Sequence, residues 1–132
     1  MYYFEADKME LLIGGSIAFD TIETPEITVA DVLGGSAIYA SISASFHLNR
    51  LKLSDKNKIG LAGAVGSDFT YSNRLVLTDR DIDMKGVKVL SGDTFRWSGR
   101  YTKDFGDVET LWTKMNVIEE FAIEIPENYK SA

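Results

Sequence analysis

A chain of 132 residues with 45% apolar side chains can bury one modest core and is too short for two ordinary domains. Its charged residues make up 26% of the chain and leave a formal charge of -6 at pH 7, with no basic run to neutralise phosphates, so nucleic acid is not an expected partner. There is no cysteine, which excludes a disulfide framework and a thiolate metal site and makes a reducing cytoplasm the easiest home.

The first residues, Met1-Tyr2-Tyr3-Phe4-Glu5-Ala6-Asp7, lack a basic region followed by an apolar one. The longest nearly apolar stretch, Leu11 to Phe19, is well short of a membrane span. Neither an export signal nor a membrane anchor is expected.

Leu11-Leu12-Ile13 ends abruptly at Gly14-Gly15-Ser16, which predicts a short buried strand over Glu10 to Ile13 running into a turn. Ile17 to Thr24 and Ile27 to Leu33 alternate unevenly around Pro25, predicting two exposed strands joined by a turn. Gly34-Gly35-Ser36 opens a predicted helix over Ala37 to Leu48. There Ile38, Ile42 and Phe46 form an apolar stripe, and the Ala and Ser between them permit close packing on a sheet. Lys52 to Lys58 reads as a polar loop.

Ile59 to Val65 predicts a second buried strand, with Gly66-Ser67-Asp68 supplying a turn and a cap for a helix over Phe69 to Thr78. Gly86 to Leu90 predicts a third strand. Such alternation builds a parallel α/β sheet with helices on both faces. Thr94 to Thr102 and Glu109 to Val117 are rich in aromatic and β-branched residues around Lys103-Asp104-Phe105-Gly106-Asp107, the pattern of a long antiparallel hairpin. The expected architecture is α/β: a small, mostly parallel sheet with helices plus an antiparallel β flap, leaving a sheet edge uncovered.

Several motifs fail on their spacing. Gly60, Gly63 and Gly66 lack the close first pair of glycines of a dinucleotide site. The Asp79-Arg80-Asp81-Ile82-Asp83 run resembles a calcium loop, but Met84 stands where glycine is needed and Leu90 where the bidentate Glu belongs. No G-x-x-x-x-G-K-[ST] phosphate loop is present. His47, the sole histidine, lies in the predicted helix with Ser43 and Ser45, weak material for a nucleophilic triad. No metal site is expected.

Three glycine-centred segments remain: Gly14-Gly15-Ser16-Ile17-Ala18-Phe19-Asp20 after the first strand, Gly34-Gly35-Ser36-Ala37 at a helix start, and Gly63-Ala64-Val65-Gly66-Ser67-Asp68 after the second strand. A carboxylate just after a strand end can accept two hydroxyl hydrogen bonds from a sugar or ribose. Glycines let backbone approach a ligand, and free amides at a helix start can meet its oxygens. From position alone, Asp20 reads more readily as a turn or surface acid and the glycines as simple chain reversals. The order and spacing of the segments, from Glu10 to Val117, resemble the N-terminal half of the ribokinase (PfkB) family of carbohydrate and nucleoside kinases. Asp81-Ile82-Asp83-Met84-Lys85-Gly86-Val87 is similar to a family connection whose leading glycine is Arg80 here.

The resemblance implies an incomplete ribokinase-like domain, with core segments 9–20, 34–92 and 117–132 and lid strands at about 17–33 and 93–117. It implies that Asp20, Gly34, Gly35, Ser36, Tyr39 and Trp97 bind a sugar or nucleoside, with Arg100 a further candidate contact. Phe95, Trp97, Tyr101 and Trp112 either pack across strands or close over the substrate, and the lid also serves some family members as a homodimer interface. Ala18, Ser36 and Tyr39 stand where ribose binders of the family carry Asn, Lys and Asn, which leaves the acceptor open. ATP and Mg2+ belong to the full-length kinase, whose base is the Asp of a G-A-G-D signature that does not occur between Met1 and Ala132. The expectation is the acceptor-binding half of a kinase, inactive alone. The alternative is a noncatalytic binding or lid-mediated dimerisation module.

Overall fold

A computed structural model describes residues 9–52, 59–119, 121–130 and 132, and folds them into two sheets. Strands β1 (Leu11–Gly14), β4 (Ile59–Gly66) and β5 (Ile82–Leu90) form a parallel sheet in the order β1-β4-β5. Strands β2 (Ala18–Glu23), β3 (Thr28–Gly34), β6 (Phe95–Tyr101) and β7 (Val108–Lys114) form the second sheet in the order β3-β2-β6-β7. Helices α1 (Ser36–Arg50) and α2 (Tyr71–Thr78) complete the regular elements. Most of the loop expected at Lys52 to Lys58 lies outside the described residues.

Every residue of β4 is buried, as expected of a central parallel strand covered on both faces. On one face Ile59, Leu61 and Val65 join Ile82, Met84 and Val87 of β5, Ala37 and Ile38 of α1, and Leu77 of α2 in one apolar cluster. The opposite face is lined by small residues, and a Cβ on Gly60 or Gly86 would lie 2.9 or 2.8 Å from the Tyr129 ring. The expectation of helices on both faces is therefore corrected. Both helices feed the same cluster, and the segment ending in the 3-10 turn Glu127–Tyr129 covers the other face.

The buried stripe of α1 also differs from the predicted one. Ala37, Ile38, Ser41 and Ser45 face inward, whereas Ile42 is half-buried and Phe46 is exposed. The inward face therefore follows Ala37, Ser41 and Ser45, and Ile42 and Phe46 each lie one residue, about 100° around the helix, beyond Ser41 and Ser45. The buried serines are satisfied: Ser41 Oγ donates within the helix to Ile38 O at 3.0 Å, and Ser45 Oγ donates across to Arg80 O, beyond α2, at 2.8 Å. Small side chains let α1 approach the sheet closely, as the composition suggested.

Helix α2 starts two residues later than predicted. Its cap is Thr70, whose Oγ1 accepts from Asn73 N at 3.3 Å while Asn73 Oδ1 accepts from Thr70 N at 2.9 Å, a reciprocal capping box. Asp68, expected to cap, is engaged elsewhere. Strand β5 begins at Ile82 rather than Gly86, and β7 ends at Lys114 before a 3-10 turn at Asn116–Ile118.

The two hairpins of the second sheet, β2–β3 and β6–β7, are antiparallel as predicted. They are joined by a parallel pairing of β2 with β6, which makes the sheet mixed. Among the described residues no helix is long and apolar enough to cross a membrane.

Candidate functional site

The two sheets meet where β1 passes through Gly15 and Ser16 into β2, and where β3 passes through Gly35 into α1. Gly35 adopts φ 98°, and a Cβ there would sit 2.4 Å from Ser16 O. That close approach lets Ser16 bind the helix start: Ser36 N donates to Ser16 Oγ at 3.1 Å, Ala37 N to Ser16 O at 3.0 Å, and Ser16 N to Ser36 Oγ at 3.3 Å. Gly35 and Ser36 thus join the two crossover turns, and two amides expected to be open to a ligand are occupied by Ser16. Gly35→Ala is expected to destabilise the chain by roughly 2 kcal/mol, from backbone strain and the clash, lowering the thermal midpoint by several degrees in a calorimetric scan.

Asp20, Gly34 and Tyr39 converge one step further along. A Cβ on Gly34 would lie 2.1 Å from Asp20 Oδ2 and 3.4 Å from the Tyr39 hydroxyl, so the bare glycine leaves room for both polar groups. Asp20 is half-buried, and burial raises its carboxyl above the ordinary value. No donor among the described residues bonds that carboxylate. A partly desolvated carboxylate without a protein partner is poised to receive one from outside. Tyr39 is largely exposed, with its hydroxyl beside this point.

Trp97 pairs in register with Asp20, which puts both on one face of the second sheet. Its ring leans over Gly99, and its indole N–H donates to Thr110 Oγ1 at 3.2 Å. Phe95 and Tyr101 share that face by alternation, whereas Trp112 pairs with Ser98 on the other and lies under the Lys114 ammonium. Arg100 also belongs to the opposite face, where its Nε donates to Glu23 at 2.9 Å. The structure separates it from Asp20.

Asp68 is the residue whose engagement the sequence concealed. Its Oδ1 accepts from Thr94 N at 2.9 Å and Thr94 Oγ1 at 2.6 Å, and its Oδ2 from Arg96 Nη2 at 2.8 Å. Burial alone would raise this carboxyl, but the Thr94 and Arg96 bonds outweigh it and hold it below the ordinary value. Gly66 serves the same junction: a Cβ there would sit 2.2 Å from Gly92 O, and its N–H donates to Thr94 Oγ1 at 2.9 Å. Only a conspicuous Asp in G-x-V-G-x-D pointed this way; its partners lie more than 25 positions on.

A cleft of about 450 Å³ opens beside the end of β5, lined by Leu90 to Asp93, Asn116, Val117 and Glu119. None of the residues named from sequence as binding groups lines it. The Asn116 side chain is committed to Thr94 O at 2.9 Å. Among the described residues no group of three His, Cys, Asp or Glu side chains is arranged to hold a metal ion.

No family model and no curated protein matches the chain. Solved structures do match. Ribokinase from Giardia lamblia superposes with a TM-score of 0.66 at 16% identity, over 83% of this chain and 34% of its own. Ribokinase from Cryptococcus neoformans, solved with ADP, gives a TM-score of 0.62 at 14% identity over 84% of this chain and 35% of its own. The fold is ribokinase-like. A nucleoside kinase from Burkholderia thailandensis in complex with inosine gives a TM-score of 0.59 at 21% identity over 80% of this chain and 36% of its own. The ribokinase-like fold here is partial, spanning about a third of the length of these structures.

Proposed function

We propose that this chain is the acceptor-binding N-terminal portion of an ATP-dependent kinase that phosphorylates an alcohol group of a sugar or nucleoside. The observation that carries this reading is the half-buried Asp20 carboxylate, raised by burial and lacking a donor among the described residues, beside Gly34 and the Tyr39 hydroxyl. Asp20 accepts hydrogen bonds from two acceptor hydroxyls, Tyr39 bounds the pocket, and Trp97 supplies an apolar wall on the same face. The second sheet acts as a lid over segments 17–33 and 93–117, resting on a core of 9–20, 34–92 and 117–132. The ADP and inosine in two of the matched structures support a nucleotide donor and a hydroxylated acceptor.

The residues present do not fit ATP and Mg2+: the chain has no G-A-G-D base, two amides at the start of α1 are bonded to Ser16, and no acidic cluster suits the ion among the described residues. No phosphoryl transfer is expected from this chain alone. Cytoplasmic residence, suggested by the missing cysteines, belongs to the same proposal. Titration calorimetry of the 132-residue chain with ribose, fructose and inosine, beside an ATP-turnover assay, tests the reading. It predicts binding of one acceptor and no turnover; turnover by this chain, or no binding by any acceptor, overturns it.

A second reading is a lid-mediated homodimer without catalysis. It is favoured by Val29 and Val108, exposed on the Asp20 face of the sheet at 42% and 51%. Sedimentation showing a monomer at high micromolar concentration would remove it.

A further inference from the structure

Arg96 lies one register step from the Asp20–Trp97 pair, on the opposite face of the same sheet, where it pairs with Phe19. Its guanidinium donates to Asp68 at 2.8 Å, pairs with the Asp31 carboxylate, and stands 5.1 Å from the centroid of the Phe19 ring. Phe19 is buried and stacks on Phe69 with centroids 6.0 Å apart. One cation thereby connects the loop after β4, the start of β6 and strand β3.

Strand β3 is distorted at this point. Asp20 pairs with Val32 and Ile22 with Val29, so Ala30 and Asp31 together oppose Thr21 in a bulge, and Asp31 has φ 56°. A non-glycine residue in that region persists where its surroundings hold it. The Arg96 ion pair is such a hold, and bulges next to sites commonly re-aim a side chain. The Arg96 and Asp68 side chains are only 25% and 23% exposed, so solvent screens their pairing less than it does an ordinary surface pair.

We infer that Arg96 is a positioning residue for the acceptor site: by tying Asp31 of β3 and its own strand β6 to Asp68 of the core, it fixes the lid, and with it Asp20, over the end of the parallel sheet. This rests on the lid reading above for its functional meaning, but the mechanical claim is separately measurable.

The experiment is residue-resolved hydrogen exchange on the 132-residue chain and its Arg96→Met, Arg96→Lys and Asp31→Asn variants. In Arg96→Met the amides of β3, β6 and β7 are expected to exchange at least about tenfold faster, while those of β4 and α1 keep their protection. Arg96→Lys restores part of the protection, because a point charge keeps one partner but not the two-sided fork. Asp31→Asn, whose parent carboxylate is 65% exposed, gives a smaller loss confined to β3 and keeps the claim testable should Arg96→Met not fold. Equal loss in both sheets, or no loss in the lid strands, overturns the inference. Acceptor titration of the same variants separates the two readings. If the parent binds no acceptor, the functional proposal fails while the exchange result still decides the latch; if it binds, Arg96→Met is expected to weaken binding with Asp20 intact.

Discussion

Tyr129→Ala is expected to cost about 3–5 kcal/mol, a large share of the roughly 5–15 kcal/mol that holds a domain of this size together. The side chain is 1% exposed and closes the face of β4 opposite the one that α1 and α2 cover. Its ring rests where Cβ atoms on Gly60 and Gly86 would stand, so those glycines form the seat that the aromatic fills. Its hydroxyl donates to Asp83 and accepts from Gly86 N at 3.3 Å. Alanine would leave a cavity, an unpaired Gly86 amide and a segment without its anchor. The thermal midpoint should fall by roughly 10–20 °C in a calorimetric scan.

Tyr129→Phe isolates the polar part and should cost about 1–3 kcal/mol, because it strands a buried amide while retaining the ring. Burial first, and then the Asp83 carboxylate, push the tyrosine hydroxyl well above its ordinary value of 10.0. The folded chain therefore holds this proton more tightly than the unfolded one. Its contribution is fully present below pH 10 and declines as the pH climbs beyond that value. A wild-type alkaline transition that persists unchanged in Tyr129→Phe would show that Tyr129 does not carry it.

Asp20→Asn should have the largest effect on binding. Hydrogen bonds to a charged partner contribute about 1.5–3 kcal/mol each, so replacing the carboxylate is expected to weaken acceptor binding by about 10- to 100-fold or more. The same substitution should make the chain more stable at neutral pH. Burial raises the folded pKa of Asp20 above 3.8, so the folded state resists its ionisation. This penalty is absent below the unfolded value, grows as the pH rises through the folded one, and is fully present above it. The stability gap between Asp20→Asn and wild type should close as the pH falls toward 3.8.

Asp68 has the opposite sign: its contribution is present above 3.8 and lost as the pH falls through its lower folded value. Denaturant titrations of both proteins across this window separate the two groups. A variant that binds the acceptor as tightly as wild type would remove Asp20 from the site.

The strands and helices were legible because each is a local pattern: an apolar run stopped by glycine, an apolar repeat among small residues, an aromatic hairpin around a polar turn; which face of the helix is buried was not. The glycine-centred segments that bracket Asp20 were legible for the same reason, since turns and close approaches demand particular residues at particular positions. Side-chain use was not. Asp68 looked like a helix cap because caps stand just before helices, yet Thr94, 26 positions on, supplied two stronger donors. The parallel seam between β2 and β6, the Phe19–Arg96 contact within it and the placing of Arg100 away from Asp20 depend on strand register, which links residues some 77 positions apart and leaves no local mark. By itself the sequence determined an α/β chain with a glycine-framed carboxylate. Only the tertiary structure decided that both helices share one face of the core sheet, that Tyr129 closes the other, and that Asp20 has no donor among the described residues, because each depends on which distant side chains arrive first at a buried surface.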